Sequence, residues 1–349
     1  MIRIFIVDDS TFVRRALSRV LDAEPGFRVV GEAGSGAEAL AKIPGADPDF
    51  VTLDVAMPGM DGLQVLPALL RWKPSLRVLM LSAHTSEGAV ATVTALAAGA
   101  VDFIDKTAFN VMDLEFLRRE VVDRLVALSP GARPANGNGG PPSKGSGLPQ
   151  ETAVRPTALA DLRGRELCVI GASTGGPAAV QRILERLPAR FPLPIVVVQH
   201  MPPGFTEAFA RRLNSLCRLR VGEAVEGQRL APGDVVIAPG GLHLRLSRGL
   251  AVVLSPEPAE ARHIPSIDVT MRSAARSRPG QVLGILLTGM GEDGAEGMAT
   301  IRAGGGVTIA ESEASCVVYG MPRAAVRRGG ATWVLGLGDI AELLGELGS

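Results

Sequence analysis

Short apolar runs alternate with segments whose apolar residues recur at helical spacing along the first 128 residues. The runs are rich in β-branched residues, which favours strands, and the segments between them favour amphipathic helices. The predicted helices include Thr11–Ala23, Glu87–Ala98 and Met112–Leu128. The predicted strands are Arg3–Val7, Arg28–Gly31, Phe50–Asp54, Arg77–Ser82 and Val101–Ile104. Five β/α units in this order predict a doubly wound parallel sheet, which we assign to a first domain over residues 1–128.

A change of composition separates this pattern from a second one. About half of residues 129–149 are Gly or Pro, and such a segment cannot bury enough apolar surface to offset the cost of ordering it. We therefore predict a flexible linker over residues 129–163. A hairpin-like pair around Ser247–Gly249 indicates an antiparallel excursion within a mainly parallel α/β sheet in a second domain, residues 164–349. Its predicted strands are Glu166–Gly171, Ile195–Gln199, Val235–Ala238, Leu242–Leu246, Leu250–Leu254, Val282–Thr288 and Val307–Ala310.

The composition excludes several classes of function. The chain carries 36 basic and 36 acidic residues, so no overall field attracts nucleic acid or anionic lipid. Its 3 cysteines are too widely spaced for a disulfide framework or a zinc site. No apolar run reaches the roughly 18–20 residues of a membrane span. We predict a cytoplasmic protein with no nucleic-acid partner and no membrane insertion.

Acidic side chains stand at the ends of two predicted strands in the first domain. Asp8 and Asp9 follow the first strand, and Asp54 ends the third. Because the carboxyl ends of parallel strands share one edge of the sheet, these carboxylates are expected to meet and to repel each other. Oxygen ligands with room for water favour Mg²⁺ as the neutralising cation. Lys106, after the fifth strand, is placed to pair with a phosphoryl group on Asp54.

Asp54 is followed by Met57-Pro58-Gly59-Met60-Asp61-Gly62, and the first domain resembles the response-regulator receiver family. The resemblance implies a five-stranded flavodoxin-like fold with Asp54 as the phosphoacceptor. It also implies that Asp9, Asp54 and the backbone carbonyl of Ala56 hold Mg²⁺, with Asp8 in the outer shell.

The same resemblance implies further roles around this pocket. Ser82 and Lys106 would contact the phosphoryl oxygens, and Phe103 would be the aromatic residue that repacks on activation. The family usually has a proline in a cis peptide after the lysine, whereas Thr107 stands here. A cis bond to a residue other than proline costs about 3 kcal/mol, so the isomer of the Lys106–Thr107 peptide stays open.

A glycine-rich turn in the second domain presents a serine. The segment from Gly171 to Pro177 reads Gly-Ala-Ser-Thr-Gly-Gly-Pro and joins a predicted buried strand to a predicted helix. Pro177 suits a first helical turn. Ser173 would then lie at the helix N-terminus, where free N–H groups can stabilise an oxyanion.

Other uses of such a turn conflict with the rest of the chain. A Walker-type phosphate loop needs a lysine, and all lysines precede residue 150. A short-chain dehydrogenase would need a Tyr-x-x-x-Lys pair, but Tyr319 has Arg323 at that spacing. Gly171–Gly175 fits the G-x-S-x-G elbow of α/β-hydrolases, whose triad runs Ser, Asp, His. The best histidine here precedes the best aspartate, so we reject that fold and keep the chemistry.

The best histidine is His200, which directly follows an apolar strand and is placed to act as a general base. Asp293, in a glycine-rich strand end, is the best orienting acid, with Asp268 as its rival. His243 and His263 are predicted to be structural or surface residues.

From Glu166 to Gly330 the chain closely resembles the chemotaxis protein-glutamate methylesterases of the CheB type, whose members also carry an N-terminal receiver. The resemblance makes Ser173 the nucleophile, His200 the general base and Asp293 its orienter. The backbone N–H groups of Thr174 and Met290 become the oxyanion donors. The matching stretches are Gly171–Pro177, Gln199–Phe205, Ala238–Leu242, Pro265–Val269, Leu287–Ala295 and Glu313–Pro322.

This resemblance implies a phosphorylation-regulated serine esterase that needs no cofactor in its esterase domain. Its substrates would be glutamate methyl esters, and in many members glutamine amides, on the cytoplasmic domains of chemoreceptors. A chemotaxis histidine kinase would be the phosphodonor. Two alternatives stay open: the same chemistry on receptors of a non-motility pathway, and a non-catalytic receptor-binding adaptor.

Overall fold

The computed structural model describes residues 1–83, 85–106, 114–129 and 161–348. Most of the predicted linker and the Thr107 side of the Lys106–Thr107 peptide lie outside these residues. Contacts between Cα atoms divide the chain into two compact units, Met1–Pro134 and Ala135–Ser349. Within the second unit, Leu162 is already buried, so the folded chain of this unit includes residues from Asp161 onward.

The first unit contains a five-stranded parallel sheet in the order β2-β1-β3-β4-β5. Apart from the edge strand Phe27–Ala33, whose middle residues are half-buried, its strands are buried at their centres, with Phe5 and Phe50 among the largest core side chains, because helices cover both faces. The strands are β1 Ile2–Val7, β2 Phe27–Ala33, β3 Phe50–Asp54, β4 Arg77–Ser82 and β5 Asp102–Asp105. The helices are α1 Thr11–Asp22, α2 Gly36–Ala46, α3 Gly62–Trp72, α4 Ser86–Ala97 and α5 Leu114–Ala127.

The second unit is built on a seven-stranded parallel sheet in the order β14-β13-β12-β6-β7-β9-β8. The strands of this unit are β6 Leu167–Ala172, β7 Ile195–Gln199, β8 Arg220–Glu223, β9 Asp234–Ile237, β10 His243–Leu246, β11 Val252–Ser255, β12 Val282–Leu286, β13 Val307–Glu311 and β14 Trp333–Leu335. The helices are α6 Gly176–Leu184, α7 Phe205–Leu216, α8 Ile267–Ser277, α9 Ala295–Ala303, α10 Met321–Arg327 and α11 Leu337–Leu347. The predicted fold class is therefore confirmed for both units.

The antiparallel hairpin differs from the sequence prediction in one respect. Strands β10 and β11 form a separate two-stranded antiparallel sheet instead of a part of the large sheet. Helix α8 supplies hydrogen-bond partners for the backbone of β10. Thr270 Oγ1 donates to Leu244 O at 2.8 Å, and Ser273 Oγ accepts from Leu246 N at 2.9 Å. The hairpin is thus held against α8, which begins at the edge of the site described next.

Candidate active sites

Ser173 and His200 are neighbours because of strand register. Strands β6 and β7 run parallel, with Ala172 opposite Gln199. Each of the two candidate residues directly follows its strand, so both emerge at the carboxyl edge of the sheet side by side. The His200 N–H donates to Ala172 O at 3.1 Å, which continues the pairing beyond the strand ends.

The turn that presents Ser173 is fixed by backbone hydrogen bonds and by glycine. The Ser173 N–H donates to Thr288 O at 3.1 Å, and Ser173 O accepts from Gln199 Nε2 at 2.9 Å. Gly175 has a positive φ of 77°, and a Cβ there would lie 2.6 Å from Val317 Cβ, so no other residue fits without displacement. Helix α6 follows at once and leaves Ser173 at its N-terminal end.

The two segments that carry the predicted oxyanion donors both lie next to Ser173. Thr174 is the next residue in the turn and is buried. Met290 follows Gly289, and a Cβ on Gly289 would lie only 2.7 Å from Ser173 Cβ. The loop after β12 therefore passes directly against the turn that presents Ser173.

His200 and Asp293 form a close pair. His200 Nε2 lies 2.8 Å from Asp293 Oδ2, and the two side chains are only 9% and 12% exposed. The carboxylate also accepts from Ser266 Oγ at 3.0 Å and from the N–H groups of Ile267 and Asp268 at 2.8 and 3.0 Å. Both of these N–H groups belong to the first turn of α8, whose dipole favours a negative charge.

These contacts keep Asp293 ionised. Burial alone would raise the pKa of Asp293, but hydrogen bonds from His200 and from the backbone of α8 hold it well below its usual value. The rival acid, Asp268, instead accepts from Gly297 N at 2.6 Å, and burial raises its pKa. Asp293 is therefore the carboxylate that the structure brings to His200.

The pairing decides which ring nitrogen can accept a proton. An ionised Asp293 only accepts hydrogen bonds, so His200 Nε2 donates and Nδ1 keeps its lone pair. Nδ1 is buried and has no hydrogen-bond partner among the described residues. In many hydrolases the bond from the serine tightens only when substrate binds. Nδ1 is therefore the ring nitrogen of His200 that is left to accept a proton.

Three residues of this site were missed by sequence reasoning. Gln199 ties the serine turn to the end of β7, Ser266 contacts Asp293, and the His263 ring stacks on the His200 ring at 4.2 Å between centroids. Ser266 carries a signal that could have been used, since a serine before Ile-Asp-Val is typical of a helix N-cap. A stacked loop histidine has no comparable signal in sequence.

The acidic pocket of the first unit also forms at the carboxyl edge of its sheet. Oxygens of Asp8, Asp9 and Asp54 all lie within 4.8 Å of one another. Lys106 Nζ lies 2.7 Å from Asp8 Oδ2 and 2.8 Å from Asp54 Oδ2. Asp8 and Asp54 are almost fully buried, whereas Asp9 is exposed.

Burial and like charge perturb these carboxyls. Burial is the largest cause that raises the pKa of Asp54 to about 6, and the charge of Asp8 adds to it, while Lys106 opposes the shift. Burial likewise raises the pKa of Asp8. A pair of buried carboxylates beside a single lysine is short of positive charge, and the oxygen donors suit a hard cation such as Mg²⁺.

The other predicted residues of this pocket are placed as follows. The Ala56 N–H donates to Asp54 Oδ1 at 3.3 Å, so the segment that offers its carbonyl lies beside the phosphoacceptor candidate. Ser82 is buried at the end of β4, and its hydroxyl donates to Gly88 O at 3.2 Å. Phe103 is buried on β5 at 6% exposure.

An acidic receiver-like pocket in one unit and a serine, histidine and aspartate site in the other are the features of a response-regulator hydrolase. Residues 4–115 match the response regulator receiver domain, and residues 168–344 match the family described as CheB methylesterase. This chain belongs to the CheB methylesterase family. The predicted class, a carboxylic ester hydrolase, is confirmed, and the receiver supports a role in chemotaxis adaptation.

Known proteins resemble the chain over nearly its full length. Protein-glutamate methylesterase/protein-glutamine glutaminase 1 of Oleidesulfovibrio alaskensis is 42% identical, with 99% of this chain and 98% of that protein covered. Protein-glutamate methylesterase/protein-glutamine glutaminase 5 of Myxococcus xanthus is 44% identical, with 95% of this chain and 93% of that protein covered. The crystal structure of the Thermotoga maritima CheB methylesterase catalytic domain aligns with a TM-score of 0.50 and 43% identity, over 52% of this chain and 98% of that one.

Among the residues that the structure describes, no helix is both long enough and apolar enough to cross a bilayer.

Proposed function

We propose that Ser173, His200 and Asp293 hydrolyse γ-glutamyl methyl esters on the cytoplasmic domains of chemoreceptors, and that the same site accepts glutamine amides. The observation that carries this proposal is the 2.8 Å contact between His200 Nε2 and Asp293 Oδ2, made beside a serine at the end of the neighbouring strand. The names of the relatives support the substrate class.

The reaction follows from the donors and acceptors present. His200 Nδ1 takes the Ser173 proton as Oγ attacks the ester carbonyl, and the imidazolium is stabilised by ionised Asp293. The N–H groups of Thr174 and Met290 receive the oxyanion. Nδ1 then protonates the departing methoxide, and methanol leaves. A water molecule attacks the acyl group in the same way and releases the glutamate carboxylate, so the esterase site uses no cofactor.

Regulation is assigned to the acidic pocket. Asp54 would accept a phosphoryl group from a chemotaxis histidine kinase, and Asp9, Asp54 and the Ala56 carbonyl would hold Mg²⁺, with Asp8 in the outer shell. Mg²⁺ would supply charge neutralisation for phosphoryl transfer. Lys106 contacts both buried carboxylates, so a phosphoryl group on Asp54 would compete with Asp8 for the same ammonium group. Ser82 would contact a phosphoryl oxygen, and Phe103 would repack.

Methanol release from methylated receptor tests both parts of the proposal. Wild-type protein should release methanol faster with a small phosphodonor and Mg²⁺, and Asp54→Asn should keep basal release without that response. Ser173→Ala should abolish release, whereas Ser215→Ala, an exposed serine on α7, serves as the matched control. Full release by Ser173→Ala would refute the esterase assignment, and stimulation of Asp54→Asn would refute the regulatory one. Receptor binding without release by wild-type protein would favour an adaptor.

A further inference from the structure

The loop between β11 and α8 is held at both ends by a buried histidine. His243 is fully buried; its Nδ1 accepts from the Ser266 N–H at 3.1 Å, and its Nε2 lies 3.2 Å from Pro258 O. Because Nδ1 accepts, Nε2 carries the proton and donates to that carbonyl. The Gly241 N–H also donates to Ile264 O at 3.2 Å, so the loop is tied to the segment before β10 as well.

His263 lies on this fixed loop and packs on the catalytic base. The rings of His200 and His263 are 4.2 Å apart between centroids and inclined by only 17°. In such a face-to-face arrangement the ring nitrogens of the two residues do not point at each other. The contact therefore covers a ring face and is not a proton relay between the two imidazoles.

The stack restrains the orientation of the His200 ring, which the hydrogen bonds of the site do not fix. The His200 ring is hydrogen-bonded through Nε2 to Asp293, and Nδ1 has no hydrogen-bond partner among the described residues. A contact at one atom fixes the position of that atom, but the ring can still tilt about it. A flat surface packed on the ring face restrains this tilt and thereby fixes the direction of Nδ1.

We propose that His263 is a positioning residue that holds the His200 imidazole in the plane from which Nδ1 meets the Ser173 hydroxyl. This inference rests on the proposed esterase function and deepens it. The essential property of residue 263 is a flat ring on a fixed loop, and its own nitrogens are not required for the reaction. A misplacement of about 1 Å in a catalytic group can cost about a hundredfold in rate.

Two substitutions of His263 distinguish the effect of a flat ring from the effect of apolar volume. His263→Phe keeps a flat face, whereas His263→Leu keeps apolar volume without one. The neighbouring Arg262→Ala, on an exposed side chain of the same loop, is the control. For methanol release we expect His263→Leu to lower kcat about tenfold to a hundredfold with little change in KM, and His263→Phe to restore most of the loss. Thermal unfolding of each variant checks that the fold is kept.

A serine-directed fluorophosphonate gives a readout that needs no receptor. Ser173 Oγ forms a bond to phosphorus, fluoride leaves, and the serine proton passes to His200. The rate constant of labelling should fall in His263→Leu and recover in His263→Phe. Wild-type rates in His263→Leu, or equal losses in the two variants with unchanged unfolding, would overturn the proposal. Labelling that persists in Ser173→Ala would instead contradict the esterase function itself, so the two failures are distinguishable.

Discussion

The buried carboxylate pair predicts that the phosphoacceptor candidate destabilises its own domain at neutral pH. A carboxyl whose pKa rises from 3.8 to about 6 on folding binds more protons in the folded state than in the unfolded state between these values. Stability therefore falls as pH rises through that window. The corresponding free energy is about 3 kcal/mol, and it opposes folding in full above the folded pKa.

Asp54→Asn removes this effect while keeping the shape of the side chain. The Lys106 ammonium retains its contact with Asp8 at 2.7 Å, so the substitution leaves no unpaired buried cation. We expect the variant to be more stable than wild type at about pH 7.5, by an amount on the order of 1–3 kcal/mol, and the difference to shrink as the pH falls below about 6 and to vanish below the unfolded pKa of 3.8. Added Mg²⁺ should stabilise wild type at neutral pH more than the variant.

Urea unfolding followed by tryptophan fluorescence measures the difference. The chain has 2 tryptophans, and Trp333→Phe leaves Trp72 on α3 as a reporter of the first unit. Glu87→Gln, an exposed acid on α4, controls for the loss of one negative charge. An Asp54→Asn variant that is less stable than wild type at neutral pH, or a difference that does not vary with pH, would refute the reasoning.

Three further predictions concern the esterase site, each measured by methanol release from methylated receptor. Asp293→Asn should lower kcat by about 10⁴-fold, because an amide favours the wrong imidazole tautomer; activity within tenfold of wild type would count against this role. Ser266→Ala removes one hydrogen bond to Asp293 and should cost about tenfold or less, and a loss equal to that of Asp293→Asn would be inconsistent with a supporting role. Gly289→Ala places a methyl group 2.7 Å from Ser173 Cβ and should abolish release, whereas Gly291→Ala, with open space around its Cβ, should retain far more activity despite its positive φ.

The sequence allowed Ser173 and His200 to be predicted because both follow buried strands directly. In a parallel sheet, a residue just past a strand must emerge at the carboxyl edge, whatever loop comes next. The same rule brought Asp8, Asp54 and Lys106 together in the first unit. These placements depend on strand position and register, which β-branched runs report well.

This rule does not predict contacts that are made by residues in loops. Asp293 reaches His200 because the N-terminus of α8 holds its carboxylate, and nothing near Asp293 in sequence indicates that helix. His263 was taken for a structural or surface residue because a charged loop gives no direction for a side chain; its position depends on the tertiary hydrogen bonds of His243. The short strands β8 and β14, of 4 and 3 residues, carry too little pattern to be recognised alone.

Acid quenching within the first turnover tests the central claim most directly. Wild-type protein is mixed with methylated receptor, stopped in acid and digested, and the peptide that contains residue 173 is analysed by mass spectrometry. We predict a receptor glutamyl group joined through an ester to the Ser173 hydroxyl, formed as methanol appears and absent from His200→Ala. Methanol release with the acyl group on another residue, or with none on Ser173 at any time, would contradict the account.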